Sequence, residues 1–330
     1  MTPAPNVSIV MAAYNAAPFV EEAVRSVRAQ TYSGYELIVV NDGSTDDTAA
    51  ILDRLATEPG SNGAAMSVVH KPNGGLASAR NAGMARASSD LVTFLDADDV
   101  WEPKLLRTLR DALVRAPDID VVFPLFSHID REGVALGVQS VPPKGDIDAA
   151  RLLVDNPIHS DSGVMMRAAA MRRTAGFDEG LTGYVGLDYW LRVLGERDGA
   201  LRCIPQPLVG YRRHHRQITS DWRKMEANWR RIMDKIDAGD IRVARDAARA
   251  GKVCQLVYWS AVAYAQGDYG AARRLIASAW CQKPSTLVNH PDGLIRTLAA
   301  IASYLPAPAH ERLRRTFNAS NNRADLDLVR

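Results

Sequence analysis

Three short polar motifs in the first hundred residues carry side chains that could take part in chemistry. They are Ala12-Ala13-Tyr14-Asn15, Asn41-Asp42-Gly43-Ser44-Thr45-Asp46 and Asp96-Ala97-Asp98-Asp99. Each follows a short apolar run typical of a buried strand. The carboxyl ends of parallel strands share one edge of a sheet, where ligands bind in open α/β folds. The three motifs are therefore predicted to line one crevice.

The third motif is a carboxylate cluster that suits a divalent cation. Asp96 and Asp98 are two residues apart, so in an extended segment they point the same way. Oxygen ligands of this kind suit Mg²⁺ or Mn²⁺, which also bind phosphate oxygens. Such a cation would stabilise negative charge on a departing diphosphate. The alternative is an acidic helix cap before Trp101-Glu102-Pro103, and the two neighbouring motifs favour the metal site over it.

The elements that must position these motifs alternate along the chain. Apolar runs predict strands at 7–12, 36–40, 66–70 and 90–95, and helical spacing predicts helices at 17–30 and 75–87. Alternation of this kind predicts an α/β fold with a mostly parallel central sheet.

The second half of the chain has a looser pattern. The sequence predicts strands at 121–126 and 163–166, a loop over 127–147 and a helix over 186–198. From residue 222 strand signals vanish and Ala, Arg and Leu dominate. We therefore predict a catalytic domain over 1–221 and an α-helical C-terminal appendage over 222–330. Within it, 263–280 resembles a single helix-turn-helix unit of the tetratricopeptide kind, with no second copy.

Composition excludes several classes of protein. The chain has 330 residues, 47% hydrophobic and 24% charged, and a net charge of +2, which gives no global argument for nucleic acid as a partner. Its three cysteines include no CxxC pair, so a disulfide framework or structural zinc site is not expected. No apolar run approaches the ~18–20 residues of a membrane helix, and no basic residue precedes the first apolar run as in a signal peptide. We expect a cytoplasmic protein, with peripheral membrane contact left open.

The motifs together resemble glycosyltransferase family 2, which has the GT-A fold. The resemblance covers about residues 5–220 and is carried by these segments: VSIVMAAYN, ELIVVNDGSTDDT, GGLASARNAG, FLDADD, SGVMMR and AGFDE. It implies transfer of a sugar from a nucleotide diphosphate sugar, with Mn²⁺ or Mg²⁺ as cofactor.

The resemblance also implies roles for individual residues. Tyr14 and Asp42 match positions that bind the nucleobase, and Arg80 matches an arginine that contacts the nucleotide. Asp98 matches a carboxylate near the ribose and metal, and Asp99 the most direct metal ligand. The predicted site for the nucleotide sugar is Ala12, Tyr14, Asn15, Asp42, Arg80, Asp98 and His214, with Asp96, Asp98 and Asp99 as metal ligands.

A catalytic base is expected from the second half. The family usually has Glu-Asp at the start of a helix, followed by Trp-Leu-Arg, and the chain has Leu187-Asp188-Tyr189-Trp190-Leu191-Arg192. By this match Asp188 is the base, which must take a proton from the acceptor hydroxyl, while Leu187 replaces the usual Glu. The alternative role of Asp188 is a helix N-terminal acid. The match also places His214 over the diphosphate, or else in a solvated basic run. His159 either lines the acceptor side or is structural.

The expected function is transfer of a single sugar with inversion, to a carbohydrate, lipid-linked or protein-linked acceptor in bacterial cell-surface synthesis. The Gln-x-x-Arg-Trp motif and membrane helices of processive synthases are absent from the sequence. The alternatives are a non-catalytic sugar-nucleotide-binding or scaffolding protein, and a nucleotidyltransferase, which would need a Gly-rich loop after the first strand. Basic and aromatic residues at 222–231, with 294–305 and 312–315, suggest either membrane contact or packing of the tail.

Overall fold

The computed structural model describes residues 6–59, 65–158, 160–195, 200–214, 222–289 and 297–298. These residues fall into two compact units. The first comprises the described residues up to 214, without Leu153–Asp155 and with Asp240–Arg242. The second comprises Leu153–Asp155, Trp222–Gly239 and the described residues from Val243 onwards. A domain boundary between 221 and 222 stays a prediction.

The first unit is an α/β layer. Its strands are β1 (Val7–Ala13), β2 (Tyr35–Asp42), β3 (Met66–Lys71), β4 (Leu91–Asp96), β5 (Val100–Trp101), β6 (Val121–Ile129), β7 (Ala135–Gln139), β8 (Met165–Arg167) and β9 (Leu201–Arg212). Its helices include α1 (Val20–Arg28), α2 (Thr48–Thr57), α3 (Gly75–Met84), α4 (Leu105–Arg115), α6 (Ala168–Arg173) and α7 (Val185–Gly195). A short helix, α5 (Ala149–Val154), precedes β8.

The sheet has the strand order β3-β2-β1-β4-β8-β6-β9-β5, with β7 paired to β6. The four strands β3-β2-β1-β4 are parallel, as predicted. Beyond β4 antiparallel pairs join the parallel ones, because the short strand β8 lies antiparallel to both β4 and β6. β9 is parallel to β6, and β5 and β7 add antiparallel pairs. The sheet is therefore mixed.

The loop predicted over 127–147 is also corrected. β6 continues to Ile129 and β7 occupies Ala135–Gln139. Among the described residues β7 pairs with β6 alone, and its residues are mostly exposed. An exposed edge strand does not need the apolar run by which buried strands are recognised, so β7 could not be recognised from its residues.

Helix α3 packs closely on the sheet because its inner face is made of small residues. Ala77, Ala79 and Gly83 are buried there. A Cβ atom on Gly83 would lie 2.4 Å from Cγ1 of Val10, in the middle of β1. Glycine at this position therefore lets α3 approach β1, and the approach fixes Arg80 on the same helix.

The second unit is helical, with α8 (Trp222–Ala238), α9 (Arg245–Ala265), α10 (Tyr269–Gln282) and α11 (Pro284–Asn289). Helices α9 and α10 form the predicted helix-turn-helix. Asp268 caps α10 by accepting a 2.9 Å hydrogen bond from the amide of Ala271. Among the described residues no helix is both long and apolar enough to span a bilayer.

We predict that Gly83→Ala destabilises the protein. The added methyl group meets a β-branched side chain in the core, and overpacking of this kind costs about 1–3 kcal/mol, enough to outweigh the roughly 1 kcal/mol that Ala gains over Gly in a helix. Chemical denaturation measures the effect.

The matched control is Gly195→Ala at the end of α7, where the nearest atom to a new Cβ is 3.5 Å away. It should not lower stability. Adding Val10→Ala to Gly83→Ala should recover part of the loss. Equal stability of the wild type and Gly83→Ala would show that the approach of α3 to β1 is not tight.

Candidate active site

The three polar motifs lie at one edge of the sheet, as predicted. β1, β2 and β4 end at Ala13, Asp42 and Asp96, and they are adjacent and parallel. Ala12 pairs with Asp96 on one side and with Val40 on the other. The loops that follow these strands therefore start side by side.

The loops after β1 and β2 are tied together by Asn15. Its amide donates to Oγ of Ser44 at 3.0 Å, and its side-chain oxygen accepts from the amide of Thr45 at 2.8 Å. Its φ of 48° is in the left-handed region, which Asn tolerates better than most residues. Asn15 thus shapes the crevice wall. Tyr14 beside it is 52% exposed, so one face of its ring is available to a ligand.

Asp42 fixes the loop that leads into α3. Its Oδ1 accepts from Nζ of Lys71 at 2.6 Å and from the amide of Gly74 at 3.0 Å, and its Oδ2 accepts from the amide of Gly75 at 2.7 Å. A carboxylate can accept about four hydrogen bonds, so one position remains for a ligand donor. Asp42 is buried, and its first role in the structure is to hold this loop.

Arg80 joins two carboxylates beneath the crevice. It is 2% exposed, and it donates to Oδ1 of Asp96 at 2.7 Å and to Oδ2 of Asp161 at 2.5 Å. Its guanidinium lies 5.3 Å from the ring centre of Phe177 and 5.9 Å from that of Phe94. Burial alone would lower the pKa of Arg80, but the two carboxylates outweigh burial and raise it. Arg80 is therefore a fixed positive charge under the site.

Asp98 is the most accessible carboxylate of the cluster, with a side chain 29% exposed. Its Oδ2 accepts from Nε2 of His214 at 2.8 Å, because a carboxylate can only accept. The His214 ring stacks on Phe19 at 5.3 Å. The structure therefore brings His214 to the carboxylate cluster, and its role over the diphosphate stays a prediction.

Asp99 is 1% exposed and faces inward. Its Oδ1 accepts from the amide of Arg212 at 3.0 Å, and Oδ2 lies 3.4 Å from Oγ of Ser160, which also lies 3.3 Å from Oδ2 of Asp96. Burial, followed by the charges of Asp98 and Asp96, raises the pKa of Asp99 well above its usual range. Burial also raises the pKa of Asp96, although Arg80 opposes the shift.

The carboxylate cluster fits a cation that is shared with a substrate. Among the described residues no three His, Cys, Asp or Glu side chains are arranged to hold a metal ion unaided. Mg²⁺ in phosphate sites is usually held by one or two carboxylates plus substrate oxygens. Asp98 fits this arrangement because its Oδ1 has no hydrogen-bond partner among the described residues. Asp99 fits less well, since both of its oxygens face protein donors.

Asp188 forms an ion pair with Arg192 on its own helix. Its side chain is 0% exposed, and Oδ2 accepts from Nε and from one terminal nitrogen of Arg192 at 3.0 and 2.8 Å. The same terminal nitrogen donates to the carbonyl oxygen of Gly176 at 2.6 Å. Asp188 and Arg192 therefore hold the turn at Gly176. The next residue, Phe177, packs against the guanidinium of Arg80. Asp188 therefore has a structural task at this turn, and its role as base stays a prediction.

Sequence reasoning missed several residues of the crevice. Asp161 binds Arg80 and also accepts from Nε1 of Trp190 at 2.7 Å. Arg212 is 1% exposed; it donates to the carbonyl oxygen of Asp98 at 2.8 Å and to Glu22 at 2.6 Å. The basic run that contains Arg212 and the DADD motif were both visible in the sequence, but their pairing was not. His159 lies outside the described residues.

The α/β fold and the polar loops at one edge of its sheet indicate a glycosyltransferase of the GT-A type. Comparison with known proteins supports this class. Residues 8–174 match the family model of glycosyl transferase family 2. The chain belongs to this family.

Relatives and solved structures agree with this assignment. An uncharacterized glycosyltransferase of Haemophilus influenzae is 28% identical over 226 residues, 66% of this chain and 68% of that protein. One of Nostoc is 34% identical over 119 residues, 36% of each chain. The matched segment covers 31% and 30% of the length of two further curated relatives. This chain thus spans about a third of the length of several of the curated relatives it matches.

Two solved structures have the same fold. Residues 1–349 of S. aureus TarS, in complex with UDP-GlcNAc, superpose with a TM-score of 0.62 at 16% identity, covering 94% of this chain and 92% of that one. The mannosyltransferase PcManGT of Pyrobaculum calidifontis, in complex with GDP-Man and Mn²⁺, gives 0.57 at 18% identity, covering 99% and 86%.

We predict that Arg80→Met strongly destabilises the protein. The substitution keeps most of the side-chain volume but leaves Asp96 and Asp161 without their shared cation. Removing one partner of a buried ion pair typically costs about 3–5 kcal/mol. Urea denaturation should show a loss of this order.

Arg86→Met, just after the end of α3, is the matched control, since Arg86 is exposed and donates to the carbonyl oxygen of Ala82. Its effect should be small. Arg80→Met with wild-type stability would mean that the bridge between Asp96 and Asp161 does not support the fold.

Proposed function

We propose that the protein transfers a single sugar from a nucleotide diphosphate sugar to an acceptor hydroxyl, with inversion at the anomeric carbon. The observation that supports this proposal most is the convergence of the Tyr14, Asp42 and Asp98 loops on one sheet edge. Tyr14 offers an aromatic face to a nucleobase, Asp42 has one acceptor position left, and Asp98 faces the position expected for a diphosphate. A single in-line displacement inverts the anomeric carbon.

In this proposal Asp98 is the direct metal ligand and Asp96 lies beside it. A bound Mg²⁺ or Mn²⁺ supplies stabilisation of the charge on the departing diphosphate. His214 is positioned by Asp98 and Phe19, so its ring can contact the same phosphate oxygens. Arg80 remains beneath the site and orients Asp96. The GDP-Man and Mn²⁺ of the Pyrobaculum complex are in line with this assignment.

Donor turnover separates this function from the non-catalytic alternative. A sugar-nucleotide-binding or scaffolding protein would bind a donor without releasing the nucleoside diphosphate. A nucleotidyltransferase would release pyrophosphate from a nucleoside triphosphate. We further propose that the product belongs to bacterial cell-surface polysaccharide, glycolipid or glycoprotein synthesis. A cytoplasmic location stays a prediction.

We propose that the protein contacts anionic membranes peripherally and electrostatically. Both tryptophans of 222–231, Trp222 and Trp229, are buried, so they are not available to a bilayer. The exposed side chains of this stretch include Arg223, Lys224, Arg230 and Arg231. The apolar stretch 294–305 and the basic run 312–315 lie mainly or wholly outside the described residues.

We predict that nucleotide sugar raises the melting temperature only when a divalent metal is present. Thermal shift with UDP-GlcNAc and GDP-mannose, each with Mn²⁺ or with EDTA, is the measurement. A donor at a hundred times its Kd should add about 2.7 kcal/mol of stability. Asp98→Asn should abolish the metal-dependent part.

Asp120→Asn is the control for loss of a carboxylate, because Asp120 pairs with Arg173 at the other end of the strands. It should respond to donor like the wild type. Equal donor affinity with Mn²⁺ and with EDTA would remove the metal from the proposal.

We predict that the protein sediments with anionic vesicles at low salt, and does not sediment with neutral ones. The attraction between exposed basic residues and anionic lipid is screened by salt, so it should be lost at high ionic strength. Lys224→Glu with Arg231→Glu should weaken sedimentation more than Arg115→Glu with Arg172→Glu, which changes net charge equally in the first unit. Absence of sedimentation with both kinds of vesicle would end the membrane proposal.

A further inference from the structure

A sugar transfer needs a group near the acceptor that can take a proton. An acceptor hydroxyl is a poor nucleophile until its proton is removed, and a carboxylate is one of the usual bases. Asp188 is poorly suited to this task, because its side chain is 0% exposed and is held by Arg192. Another carboxylate beside the crevice is better placed for the task.

Asp161 is such a carboxylate. Its side chain is 14% exposed. Oδ1 accepts from Nε1 of Trp190 and Oδ2 from Arg80. Each carboxylate oxygen can accept two hydrogen bonds, so both oxygens keep a position for an acceptor hydroxyl. The two donors hold the carboxylate in one orientation, which proton transfer in a fixed geometry requires.

The position of Asp161 places it next to the donor site. Arg80 bonds to Asp161 with one terminal nitrogen and to Asp96 with the other. The neighbouring residue, Ser160, contacts both Asp96 and Asp99. The segment 160–161 therefore borders the carboxylate cluster that is proposed to bind the diphosphate.

The carboxylate of Asp161 occupies the space that a side chain at position 186 of α7 would fill. A Cβ atom on Gly186 would lie 2.1 Å from Oδ1 and 2.2 Å from Oδ2 of Asp161. Only a residue without a side chain leaves that volume empty in the first turn of the helix. The partial positive charge at the start of α7 also favours an anion there.

From this geometry we propose that Asp161 is the catalytic base of the proposed sugar transfer. Arg80 and Trp190 hold its carboxylate by hydrogen bonds, and the missing side chain of Gly186 leaves space for it. The acceptor O–H proton passes to a carboxylate oxygen of Asp161. The acceptor oxygen forms the new bond to the anomeric carbon, whose bond to the diphosphate oxygen breaks with the electron pair leaving on the nucleoside diphosphate. Asp188 and Arg192 serve instead to position Gly176 and Phe177.

The first test compares Asp161→Asn with Asp188→Asn and with Asp120→Asn. Release of UDP from UDP-GlcNAc, or of GDP from GDP-mannose, is measured with Mn²⁺ and with water or an added sugar as acceptor. Asp161→Asn should lower kcat by about 10²–10⁴-fold and leave the KM for the donor nearly unchanged. Asp120→Asn, which removes an ion pair at the other end of the strands, should retain turnover.

The second test moves the carboxylate instead of removing it. Asp161→Ser should lose turnover, and the double variant Asp161→Ser with Gly186→Asp should regain part of it, because the new side chain grows from α7 into the vacated volume. A merely structural role for Asp161 in holding Arg80 predicts parallel changes in melting temperature and donor KM, with no rescue of kcat.

The outcomes separate the base assignment from the proposed function. If the wild type releases no nucleoside diphosphate, the proposed function fails and the base assignment falls with it. If the wild type is active and folded Asp161→Asn matches it, or if Asp188→Asn alone loses kcat, only the assignment is overturned. If Asp161→Asn does not fold, the double variant decides: regained turnover supports the assignment, and a folded, inactive double variant overturns it.

Discussion

The buried ion pairs of Arg80 are the interaction on which the rest of the site depends. A guanidinium that is 2% exposed is unfavourable unless it is fully paired, and so are the carboxylates beside it. Asp96 comes from the end of β4 and Asp161 from the segment before β8, while Phe177 packs against the same guanidinium. Three distant parts of the sequence must therefore meet before any of these charges is stable inside the protein.

The sequence predicted the parallel half of the sheet well because its signals are local. β1, β2 and β4 are buried along almost their whole length and appear as continuous apolar runs. β8 has three residues and β7 is exposed, so neither shows such a run. Their pairing with β4 and β6 is decided by contacts between distant residues, and neither periodicity nor composition reports those contacts.

The same distinction explains the site. The loops with Tyr14, Asp42 and Asp98 could be placed from the sequence, since the ends of parallel strands must share an edge. The partners of Asp188 and Asp161 could not be placed in this way. Asp188 meets Arg192 four residues later on the same helix, which the sequence allowed but did not require. The closeness of Asp161 to Gly186 is purely tertiary, and a glycine gives no sign in the sequence that a carboxylate will fill its space.

The contacts that hold helix α7 in place do not depend on which segment supplies the carboxylate next to it. Trp190 donates to Asp161, and Arg192 holds the carbonyl oxygen of Gly176, so both residues of the Trp-Leu-Arg run have defined partners whatever the source of the base. Leu187, where the family usually has Glu, is 4% exposed and packs in the core. The first turn of α7 is thus apolar apart from Asp188, which pairs with Arg192. A neighbouring segment supplies a carboxylate at the start of this helix, because the atoms nearest to a Cβ on Gly186 would be the carboxylate oxygens of Asp161.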